Sequence, residues 1–370
     1  MKSFFCYYIQ TFKNIVANTS VFTTLIAAII LYSFFYPTAY KAQSAEDIPI
    51  VIVDEEHSIL TSKIITQASK SPHIHIITVT DNFLEAEQLV KNQKAEGILL
   101  LPENLTNSLK HGEMGGIGLY LSTAYFIRTK EVGTGLAGSI ESTLEDYFEK
   151  FGEASQFHPE LSIHQIPLFN TLSGYGSYIF PAVASLIIHQ TILLGLAMLI
   201  ASYREKGWVA NRSEFFAIFA AILTIGCLGC LYLFGFTFWL YEYPHGGNFW
   251  GMLFAVPIYV SCIIGLAMLV GSLVDMPERV GHLIVVTSVP LFLLTGTAWP
   301  HQAMPEWMQF LAWLLPSTNG VQVFVQLNQM GVATSIVVPK LIYLATVAAI
   351  LLALSYYRLV MMKSIKKEAD

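Results

Sequence analysis

Of the 370 residues, 54% are hydrophobic and 12% are charged, against about 25% charged in soluble domains, which is the composition of a polytopic membrane protein. A net charge of −6 leaves no basic face to neutralise phosphates and excludes a nucleic-acid partner. Cys6, Cys227, Cys230 and Cys262 all lie in or beside apolar segments and imply no disulfide framework.

Residues 1–20 are aromatic and weakly basic, with Phe4, Phe5, Tyr8, Phe12 and Ile15 at mostly helical spacing, which predicts a cytoplasmic interfacial helix. No charge occurs between Lys13 and Lys41, so a first transmembrane helix is expected over 21–40. The long aromatic lead-in and the lack of an A-x-A site argue for an uncleaved span rather than a signal peptide.

Over 41–173 short β-type runs alternate with helical patterns, and an extracytoplasmic α/β domain is expected there. The strand candidates are Ile48–Val53, His73–Val79, Gly97–Leu101 and Ile117–Leu121. The helix candidates are Ser58–Lys70, Phe83–Asn92 and Glu103–His111, with Ser58 and Asp81 as N-caps. A long helix follows, marked by Val132, Leu136, Ile140, Leu144, Tyr147 and Phe151. Asp54, Glu55, Glu56 and His57 follow the first strand, where α/β domains often place ligand groups; a solvated turn is the simpler reading.

A five-helix bundle is expected over 174–360, with spans at Tyr178–Ser202, Phe215–Tyr241, Phe249–Leu273, Val280–Trp299 (kinked at Pro290) and Ser335–Tyr357. A cytoplasmic tail follows at 361–370. Between the fifth and sixth spans the apolar run breaks at Trp299-Pro300 and resumes over Met304–Leu315. That is too short for the roughly 20 residues a crossing helix needs, and suits a re-entrant segment. Irregular backbone at membrane depth is tolerated only against protein or a wet cavity, so the loop 300–334 is expected to line or lid a pathway.

Lys2, Lys13, Arg204, Lys206, Arg212, Arg279, Arg358, Lys363, Lys366 and Lys367 share one set of flanks, while the short loops on the other side, 242–248 and 300–334, carry no Lys or Arg. The positive-inside rule then makes both termini cytoplasmic and turns the insert and the re-entrant loop outward.

No G-x-x-x-x-G-K-[ST] occurs, so ATP-driven work would need a partner chain. The histidines lack metal-ligand spacing and no G-x-S-x-G elbow is present, so neither a catalytic nor a metal site is expected. Cys227 and Cys230 match CxxC but read as apolar packing inside a span. His189 and Gln190 fall mid-span, as a pathway wall or as partners in an interhelical hydrogen bond. Arg204, Glu205, Lys206 and Gly207, with Arg212 beyond, read equally as a docking knob for a cytoplasmic partner or as positive-inside anchoring. Asn319, Gln322, Gln326 and Gln329 share a helical face opposite Val321, Phe324, Val325 and Leu327, as the mouth of a pathway or as the wet side of an interfacial helix.

The order of these parts resembles the type-2 permeases of bacterial ATP-binding cassette exporters. Ile50–Asp54 with Ser58-Ile-Leu-Thr-Ser resembles the start of that family's insert, and Ala95-Glu-Gly-Ile-Leu-Leu-Leu-Pro102 its third strand. Phe169-Asn170 with Ile179-Phe-Pro181 resembles the approach to the second span. Arg204-Glu205-Lys206-Gly207 resembles the R-E-x-x-G element, with Lys206 and Trp208 departing from the usual acidic residue and Thr. Leu294-Thr-Gly296, Trp299-Pro300, Met304-Pro305, Leu315-Pro316 and Met330-Gly331 resemble its closing signature.

The resemblance implies a multi-pass subunit of the bacterial inner membrane. It would pair with a second permease copy or paralogue and work with cytoplasmic ATPase subunits and often a periplasmic adaptor. ATP and Mg would be held by the ATPase, with no cofactor on this chain. It places ATPase coupling at Arg204–Gly207 and Arg212, and a translocation path at His189, Gln190, Asn319, Gln322 and Gln326, between the second and fifth spans. The alternative is a non-transporting receptor or secretion scaffold acting through its insert.

Overall fold

The computed structural model describes residues 4–41, 46–111, 116–121, 126–150, 169–171 and 174–362. Lys2, Phe151, Lys363, Lys366, Lys367 and the expected domain boundary at residue 173 lie outside them. The chain divides into two compact units, Ala42–Ile166 and Met1–Lys41 with Pro167–Asp370.

In the smaller unit, β1 (Ile48–Asp54), β2 (Ile74–Thr80), β3 (Gly97–Leu101) and β4 (Gly118–Leu121) form a sheet in the order β2-β1-β3-β4. The first three strands run parallel and β4 is antiparallel to β3. Parallel strands need cover on both faces, and β1 has it by alternation. Ile50 and Ile52 pack with Leu60, Ile64, Val132 and Leu136 from two helices, Ile59–Ala68 and Phe126–Lys150, while Val51 and Val53 pack with Ala86 from the helix Phe83–Lys91.

Ser58 caps Ile59–Ala68 through a capping box with Thr61. The cap of Phe83–Lys91 is Asn82, not Asp81: its Oδ1 accepts from Leu84 N at 2.9 Å, which the preceding side chain is one residue too early to do. The acidic turn after β1 is neither a free ligand cluster nor simply solvated. Buried Asp54 accepts from His57 N and Thr61 Oγ1, and Glu56 accepts from Thr106 N at 2.7 Å and Thr106 Oγ1 at 2.8 Å.

The larger unit is mostly helical, and among its described residues six helices are long and apolar enough to cross a membrane: Thr19–Ala39, Tyr175–Glu205, Arg212–Leu240, Phe249–Leu273, Pro277–Leu294 and Thr334–Met361. The second is the central one, since 83% of its most apolar window is buried against 22% in the first and sixth. Close approach depends on missing side chains. A Cβ on Gly271 of the fourth span would lie 2.7 Å from Ala197 O of the second, and one on Gly320 would collide with the Tyr259 ring. The amphipathic helix Phe4–Ala17 precedes the first span, with Thr11 and Ile15 buried and Phe4, Phe5 and Val16 exposed.

The fifth span ends at Leu294 rather than Trp299. Thr295 turns its hydroxyl onto Phe292 O at 2.6 Å and Gly296 takes φ +83°, the left-handed conformation that ends helices. Beyond it come a single 3-10 turn at His301–Ala303, the helix Glu306–Leu314 and the helix Pro316–Phe324, which runs into a π-helical turn at Val325–Gln329.

Candidate functional site

Three polar regions lie in the helical unit. The first gathers where the second and fourth spans end and the third begins. Arg204 Nη1 donates to Val274 O at 2.9 Å and to Gly271 O at 3.5 Å, while Nη2 stands 3.9 Å from exposed Asp275. Arg358, from the end of the sixth span, donates through Nε to Ser272 Oγ at 3.1 Å and through Nη2 to Ser272 O at 3.3 Å. Two guanidiniums thus hold the orphan carbonyls at the C-terminus of the fourth span, where the helix dipole favours positive charge.

Arg204 is therefore turned inward, and of the expected coupling residues only Glu205, Lys206, Gly207 and Arg212 are exposed. Around them the loop is braced. Trp208 Nε1 donates to Glu214 at 2.9 Å, and Asn211 caps the third span through Glu214 N. The N-terminal helix is tied to the same place: Tyr7 OH accepts from Asn211 Nδ2 at 2.9 Å and Asn14 Nδ2 donates to Tyr203 OH at 2.7 Å. The Tyr8 and Thr224 hydroxyls pair at 3.0 Å.

The second region is mid-span. His189 is 2% exposed, with its ring 6.4 Å from that of Tyr259. Its Nδ1, and both polar atoms of the neighbouring Gln190 amide, are buried without a hydrogen-bond partner. These atoms do not form the interhelical hydrogen bond considered from the sequence; Tyr259 OH donates instead to Ser185 O at 3.2 Å. Leaving such groups unpaired costs about 1–3 kcal/mol each, so they are held here at the expense of stability.

The third region is the segment after the fifth span. His301 is its hub. Its Nε2 donates to Leu294 O at 2.8 Å, which leaves Nδ1 to accept from Gln322 Nε2 at 3.2 Å. Thr318 also donates to Leu294 O, and Tyr178 OH donates to Thr297 O at 2.7 Å. Gln329 Nε2 donates to Ser177 O at 3.0 Å, and Lys340 Nζ to Gln326 Oε1 at 3.2 Å. Beside these contacts lies a half-open cavity of about 350 Å3 whose walls include Tyr178, His301, Gln322, Gln326 and Gln329.

The expected polar face is only partly realised. Gln322 and Gln326 meet in this cavity. Asn319 does not line it: it is 5% exposed and donates to Trp313 O and Leu315 O, closing the end of Glu306–Leu314. Gln329 lines the cavity with Gln322 and Gln326, so the expected face holds across the π turn Val325–Gln329, and Asn319 alone is drawn off by the two carbonyls it bonds. Neither His189 nor Gln190 lines the cavity. His301 was missed by the sequence reading, and its one local signal is its place beside Pro300 in a loop whose Gly296 must be left-handed.

Residues 19–357 match the family model described as ABC-2 family transporter protein. The chain is also 20% identical over 305 residues to a protein of Escherichia coli (strain K12) named as a probable multidrug ABC transporter permease, YbhR, covering 79% of this chain and 80% of that one. The protein of the same name from Escherichia coli O157:H7 aligns with the same figures.

Proposed function

The chain belongs to the ABC-2 family of transporter proteins, and from that premise we propose that it is the permease subunit of an ATP-binding cassette exporter of the bacterial inner membrane. Two copies, or this chain and a paralogue, would form the path, and partner ATPase subunits would supply ATP and Mg. The family implies such an ATPase, and the chain has no P-loop sequence of its own. The Arg204 end, with both termini, faces the cytoplasm in this reading. The α/β unit faces outward, meeting a periplasmic adaptor where one is used, and the 300–334 segment re-enters as the outer lid.

The observation that carries the proposal is the braced platform at the Arg204 end. The N-terminal helix, the loop 203–214 and the end of the fourth span are joined by hydrogen bonds, so force applied to exposed Glu205, Lys206 or Arg212 reaches three helices at once. The unpartnered polar atoms of His189 and Gln190 support a cargo path along the second span. With Gln322 and Gln326 farther along, the last held by Lys340, the groups assigned to it are amides and an imidazole, which suits amphipathic organic cargo.

Copurification of an ATP-binding cassette ATPase subunit with the chain, followed by hydrolysis measurements in proteoliposomes, tests the reading. Replacing Glu205 and Arg212 together by Ala should abolish cargo-stimulated hydrolysis while the chain stays folded. A folded chain that binds no ATPase would overturn it.

A further inference from the structure

The half-open cavity beside His301 has three amides in its wall, Gln322, Gln326 and Gln329, carried at successive turns of one segment. Each amide has one end tied to the protein, and the chemistry of the tie fixes which end is left over. Ser177 O can only accept, so Gln329 gives it Nε2 and keeps Oε1 free. Lys340 can only donate, so Gln326 gives it Oε1 and keeps Nε2 free. Leu294 O can only accept, which puts the proton of the neutral His301 ring on Nε2 and makes Nδ1 an acceptor. Gln322 therefore gives that ring Nε2 and keeps Oε1 free.

These three free ends have no hydrogen-bond partner among the described residues, yet none of them is an occluded atom. Each keeps accessible surface. Gln329 is 7% exposed and lines the cavity, so its free oxygen has little else to face. Along the wall the ends read acceptor, donor, acceptor. Their orientations are set before any ligand arrives, which lowers the ordering cost of binding.

The complement is a ligand that offers a donor, an acceptor and a donor. A cation is disfavoured, since no Asp or Glu lines the cavity and the Lys340 ammonium stands beside Gln326. An anion is disfavoured too, because two of the three free ends are carbonyl oxygens and no Lys or Arg is in the wall. A neutral amide brings one donor and one acceptor and leaves an end unmet. Hydroxyls both donate and accept, and several spread around one ring can meet all three ends. The volume, about 350 Å3, falls at the small end of the about 300–1,000 Å3 usual for small-molecule sites. Ala182, Val321 and Val325 in the same wall would cover the apolar part of such a ligand.

We propose that this cavity binds the neutral, polyhydroxylated head of a sugar or polyol ligand, with hydroxyls donating to Oε1 of Gln322 and Gln329 and accepting from Gln326 Nε2. That the ligand is cargo rests on the transport reading; that it binds does not.

The test uses the full-length chain in vesicles of phosphatidylethanolamine and phosphatidylglycerol, with no ATPase present, so the site can fail while the transport reading stands, and the reverse. The probe is an alkyl glucoside with a diazirine beside the sugar, and its adducts are mapped after irradiation. They should concentrate on 295–302 and 321–330 and be competed by unlabelled glucoside. The permethylated glucoside, which accepts but cannot donate, should label there roughly ten-fold less, two hydrogen bonds being lost. Trimethylammonium and sulfate heads on the same chain should not label the cavity above the other spans. Gln326→Glu keeps an oxygen for Lys340 but removes the free donor, and should lower glucoside labelling about three- to ten-fold. Should that variant fold poorly, the comparison of heads on the unaltered chain decides the matter. Glucoside adducts scattered over all spans, equal labelling by the permethylated, cationic or anionic probe, or undiminished labelling of folded Gln326→Glu would each overturn the proposal.

Discussion

The Arg204 end of the bundle and its interior handle polar groups in opposite ways. At the end, the fixed charges Arg204 and Arg358 are committed to the carbonyls of one helix terminus, and Tyr7, Asn14, Asn211 and Trp208 all have partners. In the interior, His189, Gln190 and Asn328 carry buried polar atoms without a hydrogen-bond partner. A satisfied network rigidifies, whereas a half-satisfied one is costly and persists where something else completes it. The contrast separates side chains whose polar groups are satisfied from side chains whose polar groups are not.

The sharpest way to break the contrast is to remove a committed charge. Arg358→Ala strips two charge-assisted hydrogen bonds from Ser272 and should cost about 2–3 kcal/mol, seen as a lower melting temperature of the purified chain in detergent. Arg204→Ala should cost about 2 kcal/mol for the same reason, with little of it from Asp275, which is exposed and distant. Unchanged melting of both variants would show that these arginines do not bind the helix end.

His301→Ala should cost about 1–2 kcal/mol, since Leu294 O keeps Thr318 as a second donor but Gln322 loses its acceptor. The loss should appear as faster proteolysis within 295–322 and reduced export. Gln190→Leu should move the other way. Replacing an unpaired buried amide by an apolar group of similar size should leave melting unchanged or raise it by roughly 1 kcal/mol equivalent, while export falls. A variant that is destabilised instead would mean that Gln190 has a structural partner. The smallest stability effect is expected at Glu205→Ala with Arg212→Ala, both exposed, within about 0.5 kcal/mol, against a large loss of stimulated hydrolysis.

Much of the architecture was legible before any tertiary information. Hydropathy placed six spans because a bilayer demands about 20 apolar residues from each, and the unbroken apolar run Ile50–Val53 suits a strand covered on both faces. The caps Ser58 and Asn211 act locally; the first could be read, while the second was passed over. The limits fell where a partner is remote. Arg204 was visible as a charge at a helix end, yet whether it pointed to solvent or to Val274 O depends on a residue 70 positions away. The 3.6-residue period set Asn319, Gln322 and Gln326 on one face, and Gln322 and Gln326 do meet in one cavity, but Asn319 is taken by the carbonyls of Trp313 and Leu315, which no period shows.

By itself, then, the sequence determined what must leave water and what must stay in it, because burial of apolar surface and the capping of helix ends are local properties of composition and spacing. Only the tertiary structure decided which polar atoms would find partners: His301 between Leu294 and Gln322, the two arginines on the fourth span, and no partner at all for Asn328 Nδ2. Pairing is a matter of distance and angle between residues far apart in the chain, and no local pattern encodes it.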